Sequence, residues 1–309
     1  MRPPSAQGNG TAASPPVTAL AQGAVAPAPT DQEEAVLTIG RTLGVGAEGK
    51  VFELPSLVGA HAYKQYLRPG ADPVALQRLV DFPATLDFAD REFLVRQTAW
   101  PLARVMAGGR LRGFIMQQIP ERFCGRNAAG TPTNRSLMYL LHPPKPLWGD
   151  ITPPAVRARL EIAREMVSLL AFLNSNSMIV GDISMSNFLW SVDPRPAVFL
   201  IDCDGVRRLG RRPVHDQQRN TPGWLDPMLS GPQAARPLDL DSDRYKCALL
   251  AGRVLSASAY AEPPQELDLI PGIPGDVAQG VADLWRQAGR ARGSRPDATQ
   301  WKRVLDRAR

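Results

Sequence analysis

The chain is poor in the residues that build covalent or metal frameworks. Among its 309 residues there are three cysteines and three histidines. Cys124, Cys203 and Cys247 are far apart and form no CxxC pair, which excludes a disulfide scaffold or a zinc module and suits a reducing compartment. His61, His142 and His215 are equally scattered, so each is expected in an ordinary packing or surface position. No apolar run approaches the ~18 residues needed to cross a bilayer, so no membrane segment is expected. Aromatic residues make up 6% of the chain, and the net charge of +6 is spread thinly rather than gathered in blocks. A basic stripe interleaved with aromatics is therefore missing, and no nucleic acid is expected as a partner.

What is present is a core-forming chain with an atypical start. Hydrophobic residues make up 44%, enough for one large core or two lobes. The first 30 residues are mostly Ala, Pro and Gly with a single charged side chain, Arg2. Such a segment buries too little to offset its ordering entropy, so residues 1–33 are expected to form a disordered tail. The segment also lacks the apolar core of a secretory signal, and a cytoplasmic location is expected.

After the tail, strands come first and helices later. "AVLTIGRTLGVGAEGKVFELP" (35–55) reads as strand, glycine turn, strand, and "HAYKQYL" (61–67) as a third strand. "DPVALQRLVDF" and "FADREFLVRQ" are short amphipathic helices interrupted at Pro83, and residues 100–120 form a hairpin about "AGGR". Residues 121–149 read as irregular apart from the short helical piece "RSLMYLLH". The clearest helix follows, with Thr152 as its cap, Pro153 in its first turn, and Leu160, Ala163, Val167, Leu170 and Leu173 in one stripe. Further helices begin near Asp239, Asp276 and Asp297, and no internal repeat is visible. This order implies an α+β chain with a small β-rich lobe, 34–120, and a larger helical lobe, 121–309.

Two features carry chemistry. "LGVGAEGKV" places Gly44, Gly46 and Gly49 in a GxGxxGxV pattern between two strands, where backbone amides can approach phosphates closely. A dinucleotide loop needs a helix directly after it; here a strand follows. Lys64 lies on the next strand among apolar and aromatic neighbours, suited to direct an ammonium at phosphates. The second feature is "GDISMSNFLW" (181–190) followed by "VFLIDCDG" (198–205), which set Asp182, Asn187 and Asp202 at the ends of apolar segments.

Together these motifs resemble the protein-kinase fold across nearly all of residues 35–309. The spacing of Asp182 and Asn187 resembles the kinase catalytic loop, and Asp202 at the end of an apolar strand resembles the metal-binding motif. The resemblance implies ATP and Mg²⁺ as ligands. It implies that Asp182 orients the acceptor hydroxyl and takes its proton, that Lys64 holds phosphates, and that Asn187 and Asp202 hold the metal. Leu43, Val51, Ala62 and Leu189 fall where kinases sandwich adenine, with Met116 near the gatekeeper position. Asp243 resembles the buried acid that holds the catalytic loop. Thr221, in "NTPGW", resembles the Thr that contacts the catalytic Asp, and Arg295 resembles the arginine of the final turn.

The chain also departs from the family pattern. HRD reads "VGD", DFG reads "DCD", and Ser184 stands where the catalytic loop has Lys. Asp204 is expected to face solvent. The acidic partner of Lys64 is expected near Asp81 or at Glu92, and Met228 in place of the APE glutamate leaves Arg295 without its usual partner. Gly181 removes the arginine that grips an activation-segment phosphate, so any activity is expected to be independent of phosphorylation there. Arg207, Arg208, Arg211, Arg212 and Arg219 are expected to be solvated or against an acidic partner. Three readings follow: an atypical kinase acting on Ser/Thr of protein substrates, a pseudokinase serving as an ATP-binding signalling module, or a small-molecule phosphotransferase of the aminoglycoside-phosphotransferase type. The glycine loop, "TPGW" and the "RP" turn favour the protein-kinase branch over the third.

Overall fold

The computed structural model describes residues 30–216, 221–229 and 238–308. The expectation of a disordered tail concerns, for residues 1–29, a segment outside the described residues. The fold is joined by Asp31, inside the span assigned to the tail. Its carboxylate accepts from Arg104 Nε and Nη2 at 2.7 and 2.6 Å.

The first lobe is built on a six-stranded sheet in the order β1-β5-β6-β4-β3-β2. Its strands are β1 (Gln32–Glu33), β2 (Thr42–Val45), β3 (Gly49–Glu53), β4 (His61–Tyr66), β5 (Pro101–Ala107) and β6 (Arg110–Gln117). All neighbours are antiparallel except β1 and β5. Between β4 and β5 the chain forms α1 (Pro73–Asp81) and α2 (Phe88–Gln97), with a 3-10 turn at Pro83 separating them as the sequence predicts. Asp72 caps α1, its Oδ1 accepting from Val74 and Ala75 N–H, and its own N–H donates to Val214 O at 2.7 Å. The inner face of α1 is apolar: Ala75, Leu76, Leu79 and Val80 are buried.

The stretch 121–149 is less irregular than the sequence suggests. It holds a small hairpin, β7 (Cys124–Arg126) with β8 (Pro132–Asn134), and α3 (Met138–Leu141). Asn127 forms the turn, its Oδ1 accepting from Ala129 and Thr131 N–H at 3.0 Å each. An Asn side chain mimics a backbone turn in this way. The pattern is local and has no apolar period, which is why it escapes a periodicity reading.

The second lobe surrounds α4 (Val156–Ser175), whose Leu160, Ala163, Val167, Leu170 and Leu173 are all buried in the main core. The helix does not start at Thr152. Its N-cap is Ala155, with no side-chain cap bond. Pro153 and Pro154 in succession push the residues before them to extended backbone, so the helix begins only beyond the pair. After α4 come β9 (Met178–Ile179), the hairpin β10 (Phe188–Ser191) with β11 (Ala197–Leu200), and β12 (Arg207–Arg208), which pairs with β9. The helices α5 (Leu240–Ser256), α6 (Gly275–Ala288) and α7 (Ala298–Leu305) complete the lobe. Asp239 and Asp297 form capping boxes at the starts of α5 and α7. The result is a two-lobed α+β fold, as expected. All three cysteines are free.

Candidate active site

The β10–β11 hairpin explains why polar groups sit at the ends of apolar runs. Its register pairs Phe188 with Leu200, so Asn187 and Ile201 meet just beyond it, where Ile201 N–H donates to Asn187 O at 2.9 Å. Asp202 is the next residue and adopts left-handed backbone, φ 57°. The apolar strands are the buried stem, and the polar residues are its open end.

Asp182 lies at that end too. Asn187 Nδ2 donates to Asp182 O at 2.8 Å and to its Oδ2 at 3.1 Å, and Thr221 Oγ1 donates to Asp182 Oδ1 at 3.2 Å. From below, Asp243 of α5 accepts from Val180 and Gly181 N–H at 2.8 and 2.9 Å, and Asn174 Nδ2 donates to it at 3.1 Å. Burial raises the Asp243 pKa, against those hydrogen bonds, which lower it. Gly181, at φ 75°, turns the chain into the loop, a conformation that disfavours any side chain. Its carbonyl accepts from Lys246 Nζ at 2.7 Å. Ser184 is completely buried, with Asn187 N–H donating to its carbonyl, so it offers no cation toward the opening. Lys246, unnoticed in the sequence, is the buried cation on the underside of this loop.

A cavity of about 470 Å³ opens between the lobes. Leu43, Gly44, Val51, Ala62, Met116 and Asp202 all line it, joined by Ala99, Ile119 and Ile201. Leu189 does not form part of this wall; it is fully buried in β10, paired with Phe199. The three loop glycines differ. A Cβ on Gly49 would lie 2.7 Å from Gln65 O, so that glycine is required by strand packing. A Cβ on Gly44 would meet nothing within 4 Å, and one on Gly46 only Gly49 O at 3.8 Å.

Lys64 is 4% exposed and is held by acids, but not by those the sequence nominates. Asp81 is exposed and accepts from Gln77 Nε2, and Glu92 is exposed on α2. The Lys64 ammonium instead donates to Asp204 Oδ1 at 2.7 Å and Asp202 Oδ1 at 3.3 Å, with Glu48 Oε2 at 3.8 Å. Asp204 is not solvent-facing as expected; it is 1% exposed. Its other oxygen lies 3.3 Å from His215 Nε2, so His215 is not isolated either. Burial by itself would lower the Lys64 pKa, but the charges of Asp204 and Asp202, with Glu48, hold it well above the ordinary lysine value. Burial would likewise raise the Asp204 carboxyl, and Lys64 and His215 reverse that and hold it below the carboxylate range. No sequence signal pairs residues 140 positions apart.

Two further expectations are corrected. Arg295 has a partner: its guanidinium grips Asp226 at 2.7 and 2.9 Å, both side chains being buried, while Met228 is exposed. The acid stands two residues before the position the family pattern indicates. Arg207 is not solvated but buried, and it lines a cavity of about 270 Å³ with Arg78, Arg208, Arg211 and Arg212. Arg219 lies outside the described residues.

A β-rich lobe bearing a glycine loop and a buried lysine, facing a helical lobe bearing an Asp–Asn loop and a strand-end Asp, makes this a kinase-like chain. It is similar to "Protein kinase YegI" of Escherichia coli (strain K12), with 26% identity over 312 residues, covering 88% of this chain and 44% of that protein. The protein of the same name in Escherichia coli O157:H7 is likewise 26% identical over 310 residues, covering 87% of this chain and 44% of the relative. The chain thus spans less than half the length of the curated relatives it matches. No family model matches it. No helix among the described residues is long and apolar enough to cross a membrane.

Proposed function

We propose that the chain is an ATP-dependent phosphotransferase that passes the γ-phosphoryl group to Ser/Thr hydroxyls of protein substrates, with residues 31–120 and 121–309 as its two lobes. The observation that supports this reading is the run of contacts that joins Asp182 to Asn187, Asn187 to the residue before Asp202, and Asp202 to Lys64, with Asp202 lining the cavity. Asn187 Nδ2 is committed to Asp182, which leaves its amide oxygen and the half-exposed Asp202 carboxylate as oxygen donors. Such donors suit a hard divalent cation such as Mg²⁺. Asn187 and Asp202 would hold that cation, which would supply positive charge to offset that of the transferring phosphoryl group. The cavity lies within the usual ~300–1,000 Å³ range of small-molecule sites; Leu43, Val51, Ala62, Met116 and Ile201 would clasp the adenine.

Asp182 is the base in this reading. With Asn187 and Thr221 fixing its carboxylate, it orients an acceptor hydroxyl and takes its proton. The acceptor oxygen bonds the γ-phosphorus as the bond to the ADP oxygen breaks. Lys64 faces the α- and β-phosphates. The relatives named as protein kinases favour protein acceptors over small alcohols.

The decisive experiment pairs Mg-ATP binding with radiolabelled transfer. Wild type should gain stability on adding Mg-ATP, by roughly 2–3 kcal/mol at ~100-fold excess over Kd. Asp182→Ala should bind alike but transfer about 10²–10⁴-fold more slowly. Binding without transfer would make the chain a nucleotide-binding module, transfer only to small alcohols would make it a small-molecule phosphotransferase, and no binding would overturn all three readings.

A further inference from the structure

We infer that Asp204 is the positioning residue that aims Lys64 at the nucleotide phosphates, doing from the metal-binding loop what no acid on α1 or α2 does, and that His215 fixes Asp204 for this task. The inference rests on the phosphotransferase reading and concerns a residue which that reading does not use.

Helix α1 packs against β5 of the same sheet, yet its buried face is wholly apolar. The acids of the two helices are engaged elsewhere or exposed. Asp72 and Asp87 are N-caps, Asp81 pairs with Gln77, Asp90 lines a separate cavity with Arg164 and Lys302, and Glu92 is exposed. A buried ammonium still needs a fixed counter-charge to hold one orientation. Asp204 meets that requirement with a 2.7 Å contact in which donor and acceptor are both almost completely buried.

The carboxylate is fixed from its other side. His215 Nε2 lies 3.3 Å from Asp204 Oδ2, and the imidazole packs edge-on against Tyr66 with ring centroids 4.8 Å apart. Tyr66 and Lys64 are two apart on β4 and so share one face of the sheet. The neighbour of His215, Val214, is tied to the start of α1 through its carbonyl. Glu48, Asp204 and His215 lie close enough to hold a metal ion, but the Lys64 ammonium already supplies the cation there, within 3.8 Å of Glu48 and 2.7 Å of Asp204. The lysine anchor and the metal ligand Asp202 are thus two residues apart on one short segment, and Lys64 is aimed by the same loop that carries the metal.

The test uses the full chain with two readouts. The first is affinity for a fluorescent ATP analogue with Mg²⁺. The second is mass-spectrometric measurement of how fast acetic anhydride modifies Lys64 in nucleotide-free protein. Asp204→Asn should weaken nucleotide binding at least about tenfold, the scale of a lost hydrogen bond to a charged group, and should speed Lys64 modification. Asp204→Glu should restore part of the affinity, and Asp81→Ala and Glu92→Ala should match wild type. In a Lys64→Met background, Asp204→Asn should change affinity less than about twofold, because its whole effect passes through Lys64. A general structural role would instead reduce affinity again in that background and would overturn the inference. So would wild-type affinity in Asp204→Asn, or a loss in Glu92→Ala equal to that in Asp204→Asn. If Asp204→Asn fails to fold, His215→Ala, which removes one of the carboxylate's two supports, should show the same two changes at smaller size; unchanged Lys64 modification there would overturn it equally. Failure of the phosphotransferase reading looks different: wild type itself then binds no nucleotide, while Lys64 modification still reports whether Asp204 holds it.

Discussion

Two lysines are buried in this protein, and they are held in opposite ways. Lys64, 4% exposed, faces three carboxylates within 3.8 Å, whereas Lys246, fully buried, makes one short bond, to the carbonyl of Gly181. The balance of burial against charge follows from this. The acids around Lys64 outweigh its desolvation and raise its pKa. Desolvation of Lys246 outweighs the more distant charges of Asp182, Asp243 and Asp226, and its pKa is lowered. An ammonium ringed by acids is firmly charged. An ammonium resting on a single carbonyl is a costly brace, and what it braces is the turn that carries Asp182.

The largest expected effect separates the two directly. Lys64→Met strips the main cation from buried Asp204 and should cost about 3–5 kcal/mol in urea unfolding, together with weaker Mg-ATP binding; a cost below ~1 kcal/mol would break the contrast. Gly49→Ala comes next, because its Cβ would meet Gln65 O at 2.7 Å and the Lys64 Cγ at 3.2 Å. That crowding should cost about 1–3 kcal/mol, whereas Gly44→Ala, with nothing within 4 Å of its Cβ, should melt close to wild type. Lys246→Met should stay within about 1 kcal/mol of wild type or exceed it, since replacing a poorly compensated buried charge is often neutral or stabilising. It should nevertheless slow phosphoryl transfer, a split between urea midpoint and rate that a purely structural lysine would not give.

The smallest effect is a slope. Because folding lowers the Lys246 pKa below its ordinary 10.5, the unfolded chain holds more protons in the window beneath 10.5. The Lys246 penalty is therefore full below the folded-state pKa and fades as pH rises from there toward 10.5. Urea midpoints of wild type should gain on those of Lys246→Met as pH rises toward the lysine range; parallel profiles would mean that Lys246 is not strained by its burial.

The helical lobe was largely legible in the sequence because its information is periodic: the stripe from Leu160 to Leu173 is buried throughout. The Asp182–Asn187 spacing and Asp202 were legible because a hairpin brings strand ends together whatever fills its turn. What escaped was pairing at long range. The Lys64–Asp204 contact joins positions 140 apart, and the Asp226 partner of Arg295 lies 69 residues away and two short of the pattern. Charge complementarity leaves no period behind it. The start of α4 was misread for a local reason, the double proline that delays helix entry.

Asp72 does two jobs at one residue. Its side chain seals the first turn of α1, while its backbone N–H holds Val214, the neighbour of His215. Force applied to the segment after β12 would therefore reach the helix at its end, like a rope tied to the tip of a lever. A partner that pulled this segment outward would loosen the first turn of α1 and withdraw His215 from Asp204 in the same stroke. The lobes are laced together here by a backbone hydrogen bond of the chain itself.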